Sequence, residues 1–367
     1  NHDVVWMGAA CGNWACIANI IRMNVSYNNF DMLEYGYSIN LRPLATLAEK
    51  IYKGDECKAF WPHVLDKNRF DPIPEDLAAK MHKMIAICQF KIEGQIIQAH
   101  PEMHLEKRLL LDKIDFENGT VEVEGTVYPL KDANLPTIDP ADPYRLSPEE
   151  EEVMIALEAS ILRSDKLQEH IQFLYSHGAL YKTLNGNLMF HGCIPFTEDG
   201  EFRDVTINGI TQHGAKLMEY LDKELRDAYF NPPKGKTRAE AANLMWYLWL
   251  GPDSPLFGKD KMTTFERLFI ADKATHKEHV VPYYRLINQK DICVKMIREF
   301  GLDASHGKIL NGHVPVKIKD GESPIKGGGM LYVIDGGISK AYQKTTGIAG
   351  YTFIFNSRFM ALSEHQP

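Results

Sequence analysis

The sequence predicts an α/β protein, on three observations. Short strand-like runs recur in the second half of the chain, at 187–190, 308–310, 314–318, 330–334 and 351–356. Helix-start signals lie between them, Thr237 with Glu240 and Thr263 with Glu266, each matching a capping box. Gly251 and Gly301 stand where helix C-caps belong. Strands separated by helices argue for an α/β core.

Taken in order, residues 4–23 are rich in Ala, Ile and Trp and read as a buried helix, interrupted at Gly12. Residues 77–90 look helical. Residues 109–127 alternate around Glu117-Asn118-Gly119-Thr120, a strong hairpin turn signal. Asp139-Pro140-Ala141-Asp142-Pro143 then breaks the chain before a long helix. Ser147 is its N-cap, Pro148 the first helical residue and Glu150 the third, with Gly178 the expected stop. Residues 57–178 read as a mixed helical and hairpin insertion on a core made from 1–56 and 179–367. The strand at 187–190 delivers His191 at its C-terminal end. There is no internal repeat and no low-complexity tract.

Length and composition bound the function. A chain of 367 residues, 44% of them apolar, can bury a large core and suggests about two domains. Its net charge of −8 argues against a nucleic-acid backbone as the main partner, but leaves room for a phosphorylated metabolite. The six cysteines form no CxxC pair or repeated zinc spacing, so reduced thiols in a cytoplasmic protein are expected. No apolar run approaches the roughly 20 residues of a membrane span.

The chemistry starts at residue 1. Asn1-His2-Asp3, Phe190-His191-Gly192 and Asn311-Gly312-His313-Val314-Pro315 stand in the order of metallophosphoesterase motifs, and the chain resembles that superfamily. The resemblance implies a two-sheet sandwich flanked by helices. It also implies metal ligands at Asn1, His191 and His313, with His2 as the proton donor and Asp3 orienting it. Two divalent ions, Mn²⁺ by the resemblance, would clamp the phosphate and acidify the attacking water. The superfamily's Asp-x-His is absent, and Gly54-Asp55 continues as Glu-Cys-Lys-Ala rather than the expected bridging motif. The simplest expectation is a chain lacking an N-terminal segment that carries those ligands. Pro315 replaces the final His of the last motif, and His306 is a substitute only by proximity in sequence. Of the 14 histidines, His82, His170 and His213 read as surface residues, and His276 with His279 as a surface helix end.

Longer stretches narrow the resemblance. Trp6-Met7-Gly8-Ala9-Ala10, residues 188–195, residues 249–267 and the run from Ile334 to Gly347 are similar to class III, Firmicutes-type fructose-1,6-bisphosphatases. That family implies a cytoplasmic, gluconeogenic enzyme acting on fructose 1,6-bisphosphate. The phosphate that is not cleaved needs cations. Lys340 and Lys344, with Tyr342 between them, are candidates, with His306 beside them and Gly327-Gly328-Gly329 as an anion-binding turn. The competing readings are a serine/threonine protein phosphatase and a non-catalytic scaffold. A homo-oligomer is possible and is not read from the residues.

Overall fold

In the computed structural model, residues 1–64, 73–337 and 345–366 are described. Helices α1 (His2–Ala10) and α2 (Trp14–Ser26) replace the single interrupted helix. Gly12 takes φ +85°, and Asn13 restarts the helix by accepting the Cys16 N–H at 3.0 Å. After α3 (Arg42–Ile51) comes α4 (Glu75–Ala99), a helix of 25 residues. Every residue of α4 from Ala78 to Gly94 is buried. Such a helix lies inside the protein rather than on its surface.

Strands β1 (Ile114–Asp115), β2 (Thr120–Val123) and β3 (Thr126–Pro129) form an antiparallel sheet. The expected turn at Asn118-Gly119 joins the first two. A second turn at Glu124-Gly125, with φ +49° and +82°, adds the third. Helix α5 (Pro148–Leu162) starts on the predicted capping box, both bonds present. It stops early: Ser164 caps a new helix, α6 (Asp165–His177), so the expected long helix is two.

Next come the hairpin β4 (Tyr181–Leu184) and β5 (Asn187–Phe190), the hairpin β6 (Val205–Ile207) and β7 (Ile210–Gln212), and α7 (Gly214–Phe230). Helices α8 (Arg238–Ala241), α9 (Asn243–Leu250), α10 (Thr264–Phe269), α11 (Tyr283–Leu286) and α12 (Lys290–Glu299) lead to β8 (Ile309–Asn311). The chain closes with β9 (Ile325–Lys326), β10 (Leu331–Val333), and the hairpin β11 (Gly350–Phe355) and β12 (Met360–His365).

The central sheet has the order β4-β5-β8-β10-β9. Its three inner strands β5, β8 and β10 run parallel, with Leu188 and Leu331 both opposite Ile309. The α/β class is therefore seen, in one five-stranded mixed sheet among the described residues, beside the small sheet and the hairpins.

Four expectations are corrected. The run 314–318 is not a strand: Pro315 has no N–H to donate, and His313 turns the backbone at φ +66°. The Thr263 hydroxyl does not cap α10. It donates to Glu278 Oε1 at 2.9 Å, while Glu266 is buried. His82 is buried, not on the surface; its Nδ1–H donates to the Phe60 carbonyl at 3.0 Å. Residues 57–178 do not share one core. Helices α4, α5 and α6 pack into the main core with α1, α2 and the sheet. A smaller core joins Phe60, one face of α4 and residues 110–144 to Phe265 and Phe269 of α10.

Candidate active site

In parallel sheets, loops beyond the carboxyl ends of the strands are where ligands bind. Here three adjacent parallel strands each end in a polar residue at that edge. His191 follows β5 directly, His313 follows β8 by two residues, and Asp335 follows β10 by two. The strands bring the three residues to one edge because the sheet is in register.

The two imidazoles meet edge to face with ring centroids 5.0 Å apart. His191 Nε2 donates to Asn1 Oδ1 at 2.9 Å, across 190 residues of sequence. His313 Nε2 donates to the Phe257 carbonyl at 2.8 Å, which leaves Nδ1 with a free lone pair. A backbone carbonyl held by the far nitrogen is how metal-ligating histidines are commonly oriented. Desolvation is the largest cause of low pKa values at both rings, about 3 at His191 and about 4 at His313. Both are neutral at pH 7, the form that can ligate a metal.

Backbone geometry holds this edge together. Asn311 Nδ2 donates to the His191 and Gly192 carbonyls at 2.9 and 2.6 Å, tying the end of β8 to the end of β5. Gly312 N–H donates to the His191 carbonyl at 2.9 Å. Gly192 must be glycine, because a Cβ there would lie 2.2 Å from the Pro255 carbonyl oxygen. His313 holds φ +66°, a strained conformation of the kind found at functional sites.

Asn1 is the N-cap of α1, but its side chain caps no helical N–H and turns to His191 instead. His2 and Asp3 occupy the first turn of that helix, and both are exposed. No hydrogen bond joins them among the described residues, since adjacent helical residues do not face each other. Asp3 has a simpler effect there, as an acidic group at the positive end of the helix dipole. A cavity of about 310 Å³ opens beside Asn1, His2, Asp3 and His191, with a largely apolar floor that includes Val4, Met7 and Leu225. Arg226 also borders it. Its guanidinium is already bonded to Asp222, to the Tyr175 carbonyl and to the Gly178 carbonyl.

The structure thus unites Asn1, His191 and His313 and sets His2 beside them. It does not bring His306 to them. That residue is exposed and precedes β8, at the opposite end of the strand from His313. The glycine run 327–329 likewise precedes β10. Lys340, Tyr342 and Lys344 lie outside the described residues. Sequence reasoning missed Asn311 and Asp335. Each ends an apolar strand run with a polar residue, the signal that located His191. Among the described residues, no three His, Cys, Asp or Glu side chains gather closely enough to hold a metal. The third donor beside the two imidazoles is an amide oxygen.

The profile of the family described as Firmicute fructose-1,6-bisphosphatase matches residues 1–367. A Clostridium tetani protein named fructose-1,6-bisphosphatase class 3 is 53% identical over 367 residues, covering 100% of this chain and 55% of its own length. Proteins of the same name from Clostridium botulinum and Alkaliphilus metalliredigens are each 51% identical, with 55% and 56% of their lengths covered. The chain therefore spans about half the length of the curated relatives it matches. No solved structure matches.

Proposed function

We propose, from the premise that this chain belongs to the Firmicute fructose-1,6-bisphosphatase family, that the protein removes the 1-phosphate of fructose 1,6-bisphosphate in a metal-dependent hydrolysis. The observation that carries the proposal is the meeting of Asn1, His191 and His313 at one edge of the parallel strands. Asn1 Oδ1 and His313 Nδ1 would suit a first-row divalent ion such as Mn²⁺, and His191 Nε2 would join them once the proton it now gives to Asn1 Oδ1 has moved to Nδ1. Two such ions would supply positive charge to the phosphoryl oxygens and lower the pKa of the attacking water.

The chain's own groups do the rest. His2, at the rim of the cavity, donates a proton to the leaving sugar oxygen. The first turn of α1 lacks a side-chain cap, so its N–H groups and dipole favour an anionic phosphate beside Asn1. The apolar floor of the cavity excludes water. Arg226 is consumed by its own partners, so we keep Lys340, Tyr342 and Lys344 for the second phosphate. They follow β10 in sequence.

The bridging carboxylate and the other ion's ligands we assign to polypeptide outside these residues, because the relatives are nearly twice as long. The second sheet of a metallophosphoesterase sandwich belongs there too. All six cysteines are buried, unpaired thiols, which suits our placement of the protein in the cytoplasm.

The test compares substrates. A polypeptide of the relatives' length, loaded with Mn²⁺, releases phosphate far faster from fructose 1,6-bisphosphate than from a phosphopeptide. A preference for the peptide would turn the site into that of a protein phosphatase.

A further inference from the structure

We propose that Trp249 is the positioning residue for His2, and that Asn19 and the buried Glu93–Arg108 pair hold Trp249 in place. The inference rests on reading His2 as the proton donor. A general acid must present its proton along one direction, and a misplacement of about 1 Å can cost roughly 10²-fold in rate. Asp3 does not supply that direction, as described above. The ring that His2 does meet is Trp249, edge to face, with centroids 5.2 Å apart and planes at 61°.

Trp249 is held from behind. It sits on α9, only 6% exposed, and its indole N–H donates to Asn19 Oδ1 at 3.2 Å. Asn19 on α2 is fully buried. Its amide nitrogen donates to the Ala15 carbonyl at 2.8 Å and to Glu93 Oε1 at 3.1 Å, so the orientation of the amide is determined by its partners. Glu93 on α4 also accepts from Gln89 at 2.9 Å and from the Trp246 indole at 3.2 Å. Its other oxygen takes Arg108 Nη2 at 2.6 Å, and Arg108 Nη1 continues to the Met262 carbonyl. Burial works to raise the Glu93 pKa, but Arg108 and these hydrogen bonds outweigh it, and the carboxylate stays charged.

Such a network is not needed to pack α2, α4 and α9. Many apolar side chains already pack these helices together, and a buried ion pair is often no better for stability than a well-packed apolar replacement. What a satisfied polar network does supply is one fixed arrangement. Here the arrangement ends on a single indole N–H, which fixes the rotation of the ring that abuts His2. The line from Arg108 through Glu93, Asn19 and Trp249 to His2 joins five segments: the turn at Arg108, α4, α2, α9 and α1. Trp249 acts through His2 and does not line the cavity.

The experiment uses the polypeptide of the relatives' length with Mn²⁺. Trp249→Phe keeps an aromatic ring and loses the N–H; Asn19→Leu removes the anchor and leaves Trp249 intact. Both should lower kcat by roughly 10- to 100-fold with KM and metal content unchanged. In a His2→Ala background the same changes should have no further effect, because both act through His2. The ring NMR signals of His2 should shift in both variants. A full-speed Trp249→Phe enzyme with unmoved His2 signals, or losses that add to His2→Ala, would overturn the proposal. If His2→Ala itself runs at the native rate while the His2 signals still move in Trp249→Phe, the contact stands and the proton-donor reading falls.

Discussion

His191 and His313 share one edge of the sheet, and the role proposed for them differs from that proposed for His2. His313 is locked by the Phe257 carbonyl, which leaves Nδ1 with a free lone pair, so on the proposed reading His313→Ala should lose bound metal. His2 meets Trp249 edge to face and, among the described residues, makes no hydrogen bond to Asn1, His191 or His313, so His2→Ala should keep the metal and lower kcat by roughly 10²–10⁴-fold. Metal analysis beside kinetics separates the two; a metal-free His2→Ala protein would reverse the assignment.

His82 makes a different prediction at the same scale. Its Nε2 is buried without a partner, and burial is the main cause of its pKa falling from 6.5 to about 3. The unfolded chain takes up a proton below pH 6.5 that the folded chain refuses. Stability is therefore full above pH 6.5 and declines as pH falls toward 3, by about 3 kcal/mol at pH 4. In His82→Phe this part of the acid sensitivity should vanish, as read from urea midpoints at pH 7 and pH 4.5. An unchanged pH dependence would mean that His82 is protonated in the native protein.

Among the elements, α5 shows how a local signal and a tertiary contact combine. Ser147 and Glu150 form the capping box that the sequence announced, and the Glu150 carboxylate also holds the fully buried Lys91 of α4 at 2.7 Å. Ser147→Ala removes only the cap and should cost about 1 kcal/mol. Glu150→Ala strands a buried ammonium as well and should cost about 3–5 kcal/mol. Thermal melts of the two variants check the order; equal losses would mean that the buried pair contributes nothing beyond the cap. The contrast with α10 is instructive. Thr263-x-x-Glu266 has the same spacing, yet the Thr263 hydroxyl donates to Glu278 and accepts from Arg267 Nε at 3.1 Å, charged partners that take the place of the local N–H. A capping motif reports what the backbone can accept locally, and tertiary neighbours can still claim its side chains.

For the whole molecule, the arithmetic of ligands sets the expectation. On the proposed reading Asn1, His191 and His313 would supply donors for one ion, and the described residues hold no group of three His, Cys, Asp or Glu suited to another. Residues 1–367 expressed alone should therefore bind fewer than two metals and turn over no fructose 1,6-bisphosphate. A polypeptide of the relatives' length should bind two metals and release phosphate. Metal stoichiometry and phosphate release measure this directly, and a fully active dinuclear site in the 367-residue chain would show that its ligands lie elsewhere. The main core crosses the boundaries expected from sequence, since α4 to α6 pack with α1 and α2. Removing residues 57–178 would open that core rather than detach a subdomain.

The sequence by itself determined the α/β class, the Ser147 cap and the Asn118-Gly119 turn, and it singled out Asn1, His191 and His313, which the structure brings to one edge of the sheet. Each rests on a short-range rule: a side chain meeting a backbone group three residues away, a turn needing positive φ, or a rare residue type ending an apolar strand. The tertiary structure alone decided that α4 is buried all round, that His82 lies inside, that Asn311 clamps two strand ends, and that His2 leans on Trp249. Those outcomes depend on partners tens or hundreds of residues away, as with the 230 residues between Asn19 and Trp249. Periodicity cannot see a helix whose polar face is matched by buried partners, because Lys83, Lys91 and Glu93 look like solvent-facing residues until Asp132, Glu150 and Arg108 arrive beside them. Local chemistry names the groups that can react, and only packing decides which of them face one another.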